Sequence, residues 1–216
     1  MICGADEAGR GPVIGPLVVA AVMVEDDLSL RELKVKDSKL LAPARREELY
    51  EHIMAIARVE ISVASPEEID ARGESSLNEL EVQHFAAVID RLAPQKVFID
   101  AADVVAERFG REILSLLHCQ PDLVSCHRAD VLYPVVSAAS IIAKVVRDRT
   151  IRSIEEELGE PVGSGYPTDP VTMAFLERWT KRNGDLPPHT RRSWTTARKM
   201  YSRCKTSTLD QWMEIP

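Results

Sequence analysis

No stretch of this sequence is apolar for long enough to cross a membrane: the longest such run, Val18 to Val24, has the length of a strand, and no basic-then-apolar leader precedes it. The chain is therefore expected to be soluble and cytoplasmic. Cysteine is scarce as well. The four present, Cys3, Cys119, Cys126 and Cys204, form no C-x-x-C pair, so neither a disulfide framework nor a zinc ribbon is indicated. His118-Cys119 and Cys126-His127 have the wrong spacing for the usual zinc sites and read better as structural. Basic charge is in deficit, 27 Lys and Arg against 34 Asp and Glu for a net charge of −7, which on its face argues against a nucleic-acid partner. At 216 residues the chain can bury a substantial core, as one domain or one domain with an appendage.

The deficit is not uniform. From Arg178 to Lys205 there are nine basic residues (Arg178, Lys181, Arg182, Arg191, Arg192, Arg198, Lys199, Arg203, Lys205) and one acid, Asp185. A basic C-terminal region beside an acidic body suits a protein that tracks a phosphate backbone with one part and holds cations with the other. Without the acidic motifs, a solvated helical face would explain the same charges equally well.

The opening, Met1 to Ala20, carries the strongest local signal. Ile2, Cys3 and Ala5 suit a buried strand, and Gly9, Gly11, Pro12, Gly15 and Pro16 forbid a helix, so Asp6 and Glu7 are expected where a strand ends and a turn begins. Glycines let the backbone of Gly9-Arg10-Gly11 approach a ligand closely, and Arg10 offers a fork of donors suited to phosphate. Neighbouring carboxylates would repel that phosphate unless divalent cations lay between, and hard oxygen ligands select Mg²⁺ or Mn²⁺. A Gly/Pro-rich hairpin with solvated acids at its tip is the plainer reading of the pair.

Further along, Leu17 to Val24 reads as a strand, Arg45 to Ala57 as a helix introduced by Pro43, and Arg58 to Ala64 as a third strand. Ser65-Pro66-Glu67-Glu68 and Ser76-Leu77-Asn78-Glu79 are capping boxes, the second opening a helix through Leu92. Lys96 to Asp100 is a strand ending in an acid. If it lies parallel and adjacent to the first strand, Asp6 and Asp100 emerge at one carboxyl edge, where open α/β sheets keep their ligands. Leu123 to Cys126 is a short fifth strand, with Asp130 in the loop beyond. From Ser137 the chain turns helical and too apolar for a surface helix, with Lys144 pointing either to a groove or to the surface; Asp148, between Arg147 and Arg149, reads as an ion-pairing residue sooner than as a fifth metal ligand. Gly163-Ser164-Gly165-Tyr166-Pro167 is a glycine-hinged loop presenting one aromatic ring, followed by a helix ending near Gly184 and another from about Arg192. In the tail, Leu209, Trp212 and Met213 follow the spacing of one helical turn and could insert into a partner groove.

Asp6-Glu7-Ala8-Gly9-Arg10-Gly11-Pro12 resembles the signature of ribonuclease HII. The similarity continues in order through Asp37-Ser38-Lys39, Val97-Phe98-Ile99-Asp100, Ala129-Asp130, Tyr133 to Lys144, and Gly163 to Pro167, and the compact layout looks most like the archaeal branch. The resemblance implies an α/β fold, a ribonuclease H-like mixed β-sheet flanked by helices with a C-terminal helical subdomain. The expected organisation is a catalytic domain over 1–160, a helical substrate-binding subdomain over 161–205 and a tail over 206–216. It further implies that Asp6, Glu7, Asp100 and Asp130 are catalytic and hold two Mg²⁺ or Mn²⁺ ions. Substrate would be bound by Gly9, Arg10, Gly11, Lys39, Lys144 and Tyr166, with the Gly-Arg-Gly loop reading a 2′-hydroxyl. The implied substrates are RNA–DNA hybrids and duplex DNA with embedded ribonucleotides, cut to leave 3′-hydroxyl and 5′-phosphate ends in replication and repair. The tail resembles a degenerate sliding-clamp (PCNA) peptide, with Thr206 where a glutamine usually stands, and a monomer is implied. A resolvase or exonuclease of the same fold, and a non-catalytic clamp and nucleic-acid adaptor, are the rival readings.

Overall fold

The computed structural model describes residues 1–35 and 41–213, with side chains up to residue 205. In chain order the elements are β1 Ile2–Ala8, β2 Leu17–Val24, α1 Leu28–Glu32, α2 Pro43–Ile56, β3 Arg58–Ala64, α3 Pro66–Ala71, α4 Leu77–Leu92 and β4 Lys96–Asp100. They continue as α5 Ala106–Leu116, β5 Asp122–Cys126, α6 Ala129–Leu132, α7 Pro134–Leu158, α8 Pro170–Asn183 and α9 Thr195–Met213. Local chemistry explains several helix ends. Ser65 and Ser76 cap α3 and α4 as their sequences predict, Ser76 in a full capping box with Glu79, and Pro43 opens α2. Asp169 caps α8, and Gly184 closes it in the left-handed conformation.

Two compact units divide the chain. The first contains Met1–Ala8, Leu17–Ala64 and Glu74–Arg147; the second contains Gly9–Pro16, Ser65–Gly73 and the chain from Asp148 onward. Gly9–Pro16 and Ser65–Gly73 thus join the C-terminal part of the chain in the second unit.

The first unit is built on a five-stranded mixed sheet in the order β3-β2-β1-β4-β5. β1, β2 and β3 pair antiparallel, whereas β4 runs parallel to both β1 and β5. Side chains alternate across the sheet. Ala8, Val18, Ala20 and Val22 share one face with Val136, Ala139, Ile142 and Ala143 of α7; Cys3, Ala5, Val19 and Ala21 share the other with Phe85 and Ile89 of α4 and Phe109 and Ile113 of α5. Gly4 lets α7 seat closely, since a Cβ there would lie 2.3 Å from the Val135 carbonyl carbon. α5 was not expected from sequence, and α7 begins at Pro134 rather than Ser137, its first turn supplied by the rigid φ of proline.

The second unit has its own core of Val13, Ile14, Ile151, Ile154, Val162, Phe175, Leu176, Leu186 and Ala197. Its last helix starts at Thr195 rather than about Arg192, because the preceding residues make other bonds: the Arg192 and Ser193 amides donate to Asp70 at 2.6 and 3.0 Å.

Candidate active site

β1 extends to Ala8, so Asp6 and Glu7 lie within the strand instead of after it. Alternation then directs Asp6 to the α7 face and Glu7 to the α4 face. The register pairs Ala5 with Ile99, and one step further along these parallel strands come Asp6 and Asp100. Asp100 Oδ1 accepts the Ala129 amide at 3.2 Å, which ties the end of β4 to the start of α6. Arg128, in the left-handed conformation at φ 59°, turns the chain into α6, so Asp130 sits in a helical first turn rather than an open loop. The Ser137 hydroxyl donates to the Asp130 backbone carbonyl and fixes that turn against α7.

One carboxylate oxygen from each of Asp6, Asp100 and Asp130 lies within 4.8 Å of the other two. Asp6 and Asp130 are buried and Asp100 is half-buried. Burial is the main cause that lifts the Asp6 carboxyl to about 6; the Ser140 hydroxyl hydrogen bond opposes it, Asp100 adds to it, and Lys144 and the Glu7 amide, 2.8 Å away, oppose it. Glu7 is also pushed well up, first by burial and then by Asp6, Glu81 and Asp100. Among the described residues Glu7 Oε2 is buried with no hydrogen-bond partner. These are all hard oxygen donors held together against their mutual repulsion, so a divalent cation fits the set: it would lower every one of those energies at once. Glu7 lies beside the trio without belonging to it.

Lys144 donates to Ser140 Oγ at 2.7 Å on α7, so a lysine–serine–aspartate chain runs to Asp6. The polar stripe Ser137, Ser140, Lys144, at helical spacing on the otherwise apolar first half of α7, was a signal legible in the sequence. Glu81 was missed too. It is fully buried on α4 in line with Phe85, Val88 and Leu92, an acid on an apolar face.

In the second unit the Gly-Arg-Gly loop and the tyrosine loop pack together. A Cβ on Gly11 would lie 3.4 Å from Tyr166 Cε1, so the ring rests against the glycine. The Val13 and Ile14 amides donate to the Gly165 carbonyl at 2.8 and 3.2 Å. The tyrosine loop is clamped by Glu155, which accepts the Val162 and Gly163 amides, by Asp169, which accepts the Ser164 amide at 2.6 Å, and by Thr172, which accepts the Gly165 amide at 2.9 Å. Lys39 lies outside the described residues, as do the side chains of Leu209, Trp212 and Met213.

The basic region is partly neutralised within this unit. Arg178 and Arg182 pair with Glu160, Lys181 with Glu177 and Arg192 with Asp185, while Arg191 is fully buried. Arg198, Lys199 and Arg203 remain exposed on α9. The histidine and cysteine pairs gather no metal-binding group among the described residues; His118 instead binds Asp90 at 2.8 Å.

A mixed 3-2-1-4-5 sheet flanked by helices, with Asp6 and Asp100 near the ends of its central parallel strands and Asp130 in the first turn of α6, is the ribonuclease H-like fold, and the class is that of phosphodiester-cleaving hydrolases. The model of the family "Ribonuclease HII" matches residues 3–197. The chain is 47% identical to a ribonuclease HII of Pyrococcus abyssi, over 99% of this chain and 97% of that one. A crystal structure of ribonuclease H2 from Pyrococcus horikoshii superposes with a TM-score of 0.89 at 44% identity, covering 94% of this chain and 98% of its own. The ribonuclease HII of a PCNA complex from Archaeoglobus fulgidus superposes with a TM-score of 0.86 at 44% identity, covering 93% and 96%. The chain belongs to the ribonuclease HII family, a family of ribonuclease H endonucleases.

Proposed function

We propose that this enzyme cleaves the RNA strand of RNA–DNA hybrids and incises duplex DNA at single embedded ribonucleotides, leaving 3′-hydroxyl and 5′-phosphate ends, in ribonucleotide removal during replication and repair. The observation that carries the reading is the cluster of Asp6, Asp100 and Asp130 at the sheet edge, two of them buried and the third half-buried. With Glu7, these acids would hold Mg²⁺ or Mn²⁺. When bound, two such cations supply activation of the attacking water and charge stabilisation at the leaving 3′-oxygen.

The chain's own residues do the rest. Ser140 holds the Asp6 carboxylate by its hydroxyl, and Lys144, hydrogen-bonded to Ser140, brings a positive charge to that edge for the scissile phosphate. Gly9, Arg10 and Gly11 read the 2′-hydroxyl through backbone groups, with Tyr166 packing on the adjoining sugar. Lys39 contacts the backbone of the substrate. In this division of labour the region over 1–160 supplies the chemistry, and that over 161–205, through Arg198, Lys199 and Arg203 of α9, follows phosphates. The tail over 206–216 docks a sliding clamp through Leu209, Trp212 and Met213, a reading supported by the PCNA complex of the Archaeoglobus relative.

The test is digestion of an end-labelled RNA–DNA hybrid followed by end-group analysis. Upstream products that a polymerase extends without phosphatase treatment, and downstream products that a ligase joins without kinase treatment, bear out the reading. Products with 3′-phosphate or cyclic-phosphate ends refute it.

A further inference from the structure

Arg191 has the least exposed guanidinium in the second unit, at 0% residue exposure, and all three of its side-chain nitrogen positions donate to backbone carbonyls of the N-terminal loop. Nε binds the Gly15 carbonyl at 2.9 Å, Nη1 that of Arg10 at 3.0 Å and Nη2 that of Gly9 at 2.5 Å. Its own backbone amide donates to the Val13 carbonyl at 2.8 Å, and the guanidinium carbon lies 5.0 Å from the centre of the Trp194 ring. One residue, some 180 positions away in sequence, therefore holds three carbonyls of the loop Gly9 to Gly15, whose Val13 and Ile14 amides bind the Gly165 carbonyl and whose Gly15 amide binds that of His189.

The consequence for the loop follows from peptide geometry. In a trans peptide the N–H of one residue points opposite to the C=O of the residue before it. With the Gly9 and Arg10 carbonyls turned inward onto Arg191, the Arg10 and Gly11 amides are turned to the opposite side. Gly9 itself takes a φ of 90°, a bend that only a residue without a Cβ adopts easily and that a glycine-rich loop would leave readily without fixed anchors. A planar fork bonded to three carbonyls supplies those anchors; a lysine, with a single nitrogen, cannot span them.

We propose that Arg191 is the positioning residue of the sugar-reading loop: by gripping the Gly9, Arg10 and Gly15 carbonyls from the buried side, it presents the Arg10 and Gly11 amides to the 2′-hydroxyl. This deepens the proposed function and rests on it. Arg191 touches no substrate in this account, and its influence is on ribonucleotide recognition rather than on the acids of the first unit.

The experiment compares wild type with Arg191→Lys, Arg191→Gln and, as a stability control in the same core, Phe175→Leu. Steady-state cleavage of a DNA duplex with one ribonucleotide is measured, together with Mn²⁺ binding by calorimetry and amide hydrogen exchange over residues 9–15. Arg191→Gln is expected to raise KM at least tenfold and to speed exchange in the loop, with Mn²⁺ affinity within twofold of wild type; Arg191→Lys falls between. Phe175→Leu, even with an equal loss of melting temperature, keeps its KM and its slow loop exchange. Wild-type KM in Arg191→Gln, or the same defect in Phe175→Leu, overturns the proposal. A wild type that leaves the ribonucleotide duplex intact overturns the functional reading instead, and loop exchange then still decides whether Arg191 shapes the loop.

Discussion

Replacing Asp6 by asparagine should make the metal-free protein more stable while destroying its activity. The Asp6 carboxyl titrates near 6 in the folded chain against an ordinary 3.8, because burial and Asp100 disfavour its charge. A raised carboxyl binds its proton more tightly folded than unfolded, so its contribution is fully present below about pH 4 and is lost as pH rises through about 6. At about 1.4 kcal/mol per pH unit, the loss above that range is about 3 kcal/mol. Asparagine keeps an oxygen for the Glu7 amide and never ionises, so it escapes this penalty. Removing the charge also relieves Glu7, which is raised in part by Asp6. For a chain of this length the gain corresponds to a melting-temperature rise of about 6 to 12 °C at pH 7.5 in EDTA. Thermal unfolding of both proteins at pH 4 and pH 7.5 is the assay. The gap should appear at pH 7.5, close at pH 4 and shrink when Mg²⁺ or Mn²⁺ is added, since cations stabilise only the wild-type set. A variant no more stable at pH 7.5, or a gap that persists at pH 4, refutes the electrostatic account of the trio.

Gly4→Ala forces a Cβ within 2.3 to 2.5 Å of the Val135 and Val136 backbone, so chemical denaturation should show a loss of about 3 kcal/mol. Tyr166→Ala removes the ring that rests on Gly11 and should lower kcat/KM on a single-ribonucleotide duplex about tenfold, with circular dichroism unchanged. Ending the chain after Lys205 should leave cleavage within twofold of wild type and abolish capture by an immobilised archaeal PCNA.

Much of this architecture was written locally. The capping serines Ser65 and Ser76, Pro43 at a helix start, Asp169 before α8 and Gly184 after it each act within a few residues of themselves. The strand Lys96–Asp100 with its terminal acid was legible, but that it lies parallel to β1 and so brings Asp100 to the edge of Asp6 is given by the pairing of the two strands. What stayed hidden depends on partners far along the chain. Asp6 and Glu7 looked like a pair on a turn, and only the register of β1 with β2 and β4 shows that the strand carries them to opposite faces. Arg191 read as one more basic residue of a phosphate-facing stretch until its burial against Gly9, Arg10 and Gly15 was seen. Glu81 had a local trace, an acid in line with Phe85 and Val88, but its meaning required Glu7 to arrive from β1.

The central claim is that the clustered acids of β1, β4 and α6 carry out metal-dependent hydrolysis directed by a ribose. A labelled DNA duplex with one ribonucleotide, beside an all-DNA duplex, should be incubated with wild type, Asp6→Asn and Asp100→Asn in Mg²⁺, in Mn²⁺ and in EDTA. The account predicts cutting at the ribonucleotide alone, with either metal, abolished by EDTA and by each substitution. Cutting of the all-DNA duplex, or cutting that survives Asp6→Asn, would contradict it.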